Sequence, residues 1–439
     1  MSASQAPRAA SLLHDRGFRR FWAGHTISQF GDRISELALP LVAVAALGAS
    51  ANQVAWLTAL IWTPNLLAIL LGAWVDRRIH KRRLMIFADL ARAVILLSLP
   101  VASLLNAVTI GQLYAVALLT GSAAVLFNTA YPAFFASLVP RSSYVEANSK
   151  LSVGRAASQV AGPAVGGGLV QVLSAPVAVI ADALSYVVSA FMVGRVPLVD
   201  PPTRVVEASA PSSLLRRARE GIAFVLRHEI LRAALGCVVT VNFFTFVAGS
   251  GLLVLFAGRN LGLSPGATGL AMGIGSTGAL LGAVLAPRLS RLIGLGRSVA
   301  VGAVLFPAPI GLVAGAGGPL WARAGALAGA GLLSGVGVML FDVNLNALQT
   351  SVIPDGMRSR VAGAFGTVNY GVRPIGAVVG GLLATAFGLR ATLLIGALGG
   401  ALSVFWLLAS PIPRIRTLVS DGPGAEGAVP APAPDGVAK

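Results

Sequence analysis

Residues 70–83 read Leu70-Leu71-Gly72-Ala73-Trp74-Val75-Asp76-Arg77-Arg78-Ile79-His80-Lys81-Arg82-Arg83. An apolar run stops at an acid, five cations follow within seven residues, and a second apolar run begins at Leu84. A helix needs about 20 mostly apolar residues to cross a hydrocarbon core, and basic residues stay on the cytoplasmic side during insertion. The segment therefore reads as a tight cytoplasmic turn between two membrane-spanning helices.

Reading outward, about twelve stretches are long enough to span. They are centred near Leu37, Leu60, Leu96, Ala117, Val160, Val187, Val247, Gly278, Val304, Leu332, Val378 and Leu398. Alternate loops differ in charge. One set carries the cluster above, Arg141 and Lys150, Arg204 to Arg227, Arg288 to Arg297, and Arg358 with Arg360; the other contains only Arg259, Arg323 and Arg390. Both termini are thus expected in the cytoplasm of a multi-pass protein of the cell membrane, with Arg16, Arg19 and Arg20 before an uncleaved first span and Arg414 and Arg416 after the last.

The composition agrees. Of 439 residues, 56% are hydrophobic and 11% charged, against about 25% charged in soluble domains, and mean hydropathy is +0.80. The net charge of +17 is absorbed by the loop asymmetry, so a nucleic-acid partner is not expected. Cys237 is the single cysteine, which excludes a disulfide framework or a thiolate metal site. No phosphate-binding G-x-x-x-x-G-K-S/T run exists, and Gly273, Gly275 and Gly278 mimic a dinucleotide motif inside an apolar span with no strand before it. Neither a cofactor, a metal nor an enzyme activity is expected.

The halves resemble each other. Leu70-Leu71-Gly72-Ala73 recurs as Leu280-Leu281-Gly282-Ala283, an offset of 282 − 72 = 210, and Val139-Pro140 recurs as Ile353-Pro354. The longest polar stretch, opening Asp200-Pro201-Pro202, lies between them. The expected plan is an all-α membrane protein of two six-helix bundles related by pseudo-symmetry. Its parts are a cytoplasmic segment 1–20, bundles 21–197 and 231–410, a cytoplasmic loop 198–230 with an amphipathic basic helix, and a disordered tail 411–439.

Gly72, Asp76, Arg77, Arg82 and Arg83 resemble the G-x-x-x-D-R-x-x-R-R signature of the major facilitator superfamily, with one or two extra residues before the basic cluster. The resemblance implies that Gly72 allows close helix contact and that Asp76 locks the two halves at the cytoplasmic side. Which of Lys81, Arg82 and Arg83 takes the family's basic role stays open, and topogenic charge alone is the alternative. Gly162-Pro163-Ala164-Val165-Gly166-Gly167 in the fifth span is similar to the G-P-x-x-G-G core of the antiporter motif in proton-coupled drug exporters of that superfamily; ordinary small-residue packing is the alternative. The run from Val139 through Glu146, Asn148 and Gln159 to Asp182, with Phe30-Gly31-Asp32 and Ala38-Leu39-Pro40, resembles the branch of the enterobactin exporter and macrolide-efflux proteins.

Charged groups at a helix centre cost about 2.5–3.5 kcal/mol on insertion scales and are functional candidates by default. In the first span these are Asp32, Arg33 and Glu36, with Asp32 roughly 16 Å along the helix from Phe21. Asp182 and Asp342 are the other deep acids, and Asp89 with Arg92 forms an i, i+3 pair in the third span. Asp32 is the preferred proton carrier; the alternative is a self-neutralising Arg33–Glu36 pair with Asp32 bonded to a neighbouring helix. Asn128, Tyr131, Gln159, Asn242, Asn344, Asn346, Asn369, Tyr370 and Arg373 are candidate cavity residues. The expectation is a monomeric secondary transporter, driven by the proton gradient, that exports small amphipathic molecules of drug, macrolide or siderophore type. A lipid or lysolipid permease of the same fold is the alternative.

Overall fold

The structure is a computed structural model that describes residues 12–68, 71, 74–75, 78, 80–197 and 211–417. Gly72, Asp76 and Arg77, most of the central loop and the tail from residue 418 lie outside them. The N-terminal half contains α1 (Arg16–Leu47), α2 (Ala51–Trp62), α3 (Lys81–Leu104), α4 (Ile110–Leu138), α5 (Tyr144–Leu173) and α6 (Ala175–Gly194). After α7 (Pro211–Arg227), the C-terminal half contains α8 (Glu229–Ala248), α9 (Ser250–Arg259), α10 (Pro265–Ile293), α11 (Leu295–Leu305), α12 (Ile310–Ala314), α13 (Leu320–Val352), α14 (Arg358–Ala401) and α15 (Val404–Leu408).

Eight stretches among the described residues are long and apolar enough to cross a membrane. The last of these, 49 residues from Arg360 to Leu408, would run roughly 74 Å as one helix, more than twice the hydrocarbon thickness of about 30 Å. Gly388, at φ 82° and ψ 163°, breaks it into two. That makes nine crossings. The other three are α1 with its charges, α5 with its glutamines and glycines, and α2 with its continuation through Leu71 and Trp74.

Local chemistry fixes the helix starts. Asp15 caps α1 by accepting from the Phe18 amide, 2.6 Å away. Ser50 and Gln53 form a reciprocal capping box on α2, and Thr109 and Ser264 cap α4 and α10. Each satisfies an amide that would otherwise lack a partner at the membrane edge. Connections such as Ala49–Ser50 and Ser174 are too short for anything but an antiparallel return. Phe87, Val94, Val101 and Leu398 are more than half exposed, an arrangement only a hydrocarbon solvent favours.

Within the bundles, α1 packs on α5 and α6, α3 on α4 and α6, α10 on α13, and α8 on α14. Hydrogen bonds between membrane helices average about 0.6 kcal/mol, so close packing has to carry the association. The α10–α13 seam does this through facing glycines: a Cβ on Gly275 would sit 2.9 Å from the Gly331 Cα.

The two bundles meet at the end of the molecule opposite the termini. The Arg259 guanidinium donates to the Ala49 carbonyl at 2.9 Å. Gln171 Oε1 accepts from Ser264 Oγ at 3.1 Å and the Gly266 amide at 2.9 Å. Between them α5 and α10 cross at Gly167 and Gly269, where a Cβ on either would stand 2.9 Å from the other's Cα. Towards the termini, Asn128, Asp342 and Asn346 are exposed on otherwise apolar helices. Such groups line water rather than lipid, so among the described residues the bundles close on each other at one end and open toward the end bearing the termini.

The packed chain continues past residue 411, where a disordered tail was expected. Ile412 is fully buried, and the Leu295 and Gly296 amides donate to the Arg416 and Ile415 carbonyls at 3.1 and 2.9 Å. Gly294, at φ 91°, turns the α10–α11 connection toward these partners. The remainder of the tail lies outside the described residues. The expected amphipathic helix is α7, which docks on α14: Arg360 pairs with Glu220 at 3.0 Å.

Candidate functional site

Three helices of the N-terminal bundle bring polar side chains together. On α6, Asp182, Ser185, Tyr186 and Ser189 recur at i, i+3, i+4 and i+7, one face of a helix. That face is turned inward: Asp182 is 1% exposed, Tyr186 4% and Ser189 0%. On α1, His25, Ser28, Asp32 and Ser35 share a similar stripe, and on α3 Asp89 and Arg92 are one turn apart.

The stripes interlock. Ser35 and Ser185 both donate to Asp182, the latter at 3.2 Å. Tyr186 donates its hydroxyl to Asp32, and Ser189 donates to Asp89 at 2.7 Å. Arg92 stands 3.8 Å from Asp89 and lies 5.0 Å over the Tyr186 ring and 5.5 Å over Phe127, within electrostatic reach of Asp32 and Asp182 as well. His25 is stacked between Phe21 and Phe127, at 5.7 and 5.9 Å, with Gln29 Nε2 2.6 Å from its Nε2. Gly31 makes this approach possible, because a Cβ there would collide with Ser185 and Asp182. Three carboxylates thus share one guanidinium inside an apolar bundle.

The geometry of the first span is the one the alternative reading describes. Asp32 is bonded to a neighbouring helix, and Arg33 pairs with Glu36 at 2.5 Å. The network takes in the Asp89–Arg92 pair, which the sequence reading treated as local, and two groups that it did not name, His25 and Tyr186. Polar residues at helical spacing on α1 and α6 were the signal that could have found them.

A second site lies between the bundles. A cavity of about 390 Å³ is walled by Arg33, Glu36, Gln159 and Pro163 from the N-terminal half and by α9, α10, the α11–α12 segment and α13 from the other. Of the antiporter-like residues, Pro163 lines this cavity. Gly162 packs against the Arg33 side chain, with the Arg33 Cγ 2.8 Å from its ideal Cβ, and a Cβ on Gly166 would stand 3.0 Å from the Ile34 Cα. Gly167 makes the contact between bundles described above.

Other candidates lie elsewhere. Arg373 lies 4.4 Å over Trp62, 4.6 Å over Tyr370 and 5.3 Å over Phe246, with Asp342 in electrostatic reach and Asn369 one turn before it. The Tyr131 ring lies tilted against His25, with centroids 5.4 Å apart. Asn344 is not a cavity residue. It is 4% exposed, accepting from Ser290 at 2.5 Å and donating to the Leu340 carbonyl at 2.7 Å, as a buried amide must. Asn242 is half-buried and bonds back to the Val238 carbonyl at 3.0 Å. In the basic turn, Arg82 donates to the Val196 carbonyl at 2.7 Å, Lys81 donates to the Val75 carbonyl, and Arg83 is exposed. Arg82 is therefore the cation that ties the turn to the end of α6.

Comparison with known proteins agrees with this architecture. The profile of the Major Facilitator Superfamily matches residues 21–377 and, overlapping, 235–432. Over 373 residues the chain is 28% identical to the multidrug efflux pump Tap of Mycolicibacterium fortuitum, covering 81% of this chain and 86% of that one. It is 24% identical over 426 residues to YfiS of Bacillus subtilis (strain 168), an uncharacterized MFS-type transporter, covering 94% and 98%. Among solved structures, a bacterial homologue of the iron transporter ferroportin in its inward-facing state superposes with a TM-score of 0.70 at 18% identity, over 91% of this chain and 100% of that one. With twelve crossings in two bundles and a family match over most of its length, the chain belongs to the Major Facilitator Superfamily, as a multi-pass membrane transporter.

Proposed function

We propose that the protein is a proton-coupled exporter of small amphipathic molecules, with the carboxylate network of the N-terminal bundle as its coupling site. The observation that carries this is the charge count: Asp32, Asp89 and Asp182 converge on the single guanidinium of Arg92. One cation cannot neutralise three carboxylates, and uncompensated charge within the hydrocarbon is costly. The set therefore holds protons whose number changes as the bundles move. Asp32 is the exchanging member, because it is half-buried whereas Asp89 and Asp182 are enclosed.

Export is our reading of the direction. On it, the basic loops lie in the cytoplasm and the open end is loaded from there. Release then requires parting the Gly167–Gly269 and Arg259–Ala49 contacts at the far end. The efflux-pump relative supports the same direction.

The test is efflux of a substrate panel from cells expressing wild type or Asp32→Asn, with and without collapse of the proton gradient. Wild-type efflux that needs the gradient, lost in a variant that reaches the membrane normally, is the expected result. Efflux intact in the variant, or indifferent to the gradient, overturns the coupling site or the coupling.

A further inference from the structure

Another cavity lies where α7 meets the start of α14. Its volume is about 460 Å³, and its lining includes Glu220, Phe224 and Arg227 of α7 with Met357 and Arg360 from the other side. The walls are held in place by packing. Val225 of α7, Leu231 of α8, and Val361 and Ala364 of α14 form one buried cluster, and α7 comes so near that a Cβ on Gly221 would collide with the Arg360 carbonyl.

The charge of this pocket is positive and within reach of solvent. Glu220 is shared between Arg360 at 3.0 Å and Arg216 at 3.7 Å, and Arg227 is exposed with no side-chain partner among the described residues. Three guanidinium groups therefore surround one carboxylate. The Arg360 and Glu220 side chains remain 37% and 42% exposed, so an incoming anion can reach them. Arg360 holds Glu220 through one terminal nitrogen, and a guanidinium has five N–H donors, so the pair leaves donors for a second anion.

The depth of the pocket follows from the two helices that enter the membrane beside it. The spanning stretches Glu229–Arg259 and Arg360–Leu408 begin here, the first two residues after Arg227 and the second at Arg360 itself. The pocket thus lies where the hydrocarbon core gives way to headgroups. Phe224 and Met357 give it an apolar side, and Ile222 and Leu226 are exposed on α7, as suits a basic helix lying in the interface.

We infer that this pocket binds a phosphate group, supplied by an anionic phospholipid of the leaflet that meets α7. The planar fork of arginine matches phosphate oxygens two at a time. The surplus of cations favours a lipid of net negative charge over a zwitterionic one, and the apolar side of the pocket favours a lipid over free phosphate. A phosphate held by Arg227 and Arg360 together ties the loop helix to the C-terminal bundle. The site requires neither proton coupling nor a direction of transport.

The experiment is native mass spectrometry of the purified full-length protein in detergent, titrated with phosphatidylglycerol or phosphatidylcholine, with and without excess inorganic phosphate. The first phosphatidylglycerol is expected to bind at least about tenfold more tightly than phosphatidylcholine, and Arg227→Gln should weaken it by roughly tenfold, the size of one charge-assisted hydrogen bond. Ala223→Trp, which fills the pocket with its charges intact, should abolish that binding. Arg291→Gln, which removes an exposed cation near the end of α10, should leave it unchanged. Equal losses in Arg227→Gln and Arg291→Gln would mean that only diffuse surface charge attracts the lipid, and would overturn the site. So would binding indifferent to both Arg227→Gln and Ala223→Trp in protein with a wild-type melting profile. Displacement of phosphatidylglycerol by inorganic phosphate would make free phosphate the occupant and overturn the assignment to lipid.

Discussion

In the N-terminal bundle the buried side chains include Asp89, Arg92 and Asp182; in the C-terminal bundle the buried polar ones among the described residues are neutral, such as Asn344, Thr392 and Ser298. At the 210-residue offset of the first repeat match, Asp32 meets Asn242, Asp89 meets Val299 and Arg92 meets Gly302; at the offset of 353 − 139 = 214 of the second, Asp182 meets Gly396. Every charge of the network is thus replaced in the second copy. What the C-terminal bundle has instead is a glycine seam between α10 and α13 and most of the wall of the cavity. Two bundles of one plan have divided the work, one handling charge and the other shape. A rocking transporter needs both at a shared interface.

The sharpest way to break that contrast is to remove the guanidinium. Arg92→Leu leaves Asp89 and Asp182 buried without a cation, and breaking a buried ion pair from one side costs about 3–5 kcal/mol. The variant should unfold at markedly lower temperature in nanodiscs or fail to accumulate. Arg92→Leu combined with Asp89→Leu should recover most of the loss, because an apolar replacement of a whole buried pair is often neutral. A single variant that melts like wild type would mean that Arg92 is not the counter-charge of the network.

The next effect concerns movement rather than stability. A Cβ at Gly167 would stand 2.9 Å from the Gly269 Cα and collide with the Pro265 carbonyl, whereas one at the adjacent Gly168 meets nothing within 4 Å. Overpacking costs about 1–3 kcal/mol. In Gly167→Leu this cost falls only on the state in which the far end is closed, shifting the equilibrium toward opening there by roughly five- to 150-fold. Spin labels at Ser50 and Asn260, in a Cys237→Ser background, should report a longer distance for Gly167→Leu and an unchanged one for Gly168→Leu. Equal distances in both would show that the α5–α10 crossing does not set the closed state.

Much of this was legible in the sequence, for a physical reason. Span length and loop charge are demands of the bilayer on every segment, so the twelve crossings and the two bundles could be read without contacts. The packing partners could not. Asp32 and Glu36 are one turn apart on α1, yet the first bonds to Tyr186 while the second pairs with Arg33 beside the cavity. Asp89 and Arg92 read as a local pair and are in fact the centre of a network drawn from three helices. Asn344 read as a cavity residue and is a bond between helices. Periodicity says which residues share a face, but which helix that face meets is set by tertiary packing, with Gly31 admitting the Ser185 and Asp182 side chains and Gly167 the backbone of α10.

The smallest effect tests the boundary between the bundles, where a cation of the C-terminal half touches an aromatic ring of the other. Arg373 is stacked over Trp62 from α2 as well as over Tyr370 and Phe246, and it is also the cation nearest in effect to Asp342. Arg373→Lys keeps the charge but loses the planar stack, worth about 0.5–2 kcal/mol. Arg373→Met loses both. If stacking is what Arg373 contributes, the two variants should destabilise the protein equally in thermal unfolding; a further loss in the methionine variant measures the charge that Asp342 needs. Under the proposed coupling, efflux should keep its dependence on the proton gradient in both variants, since that proposal puts the exchanging proton in the other bundle. Gradient-independent efflux by Arg373→Met would move the coupling onto Asp342, and the contrast between the bundles would have to be drawn the other way round.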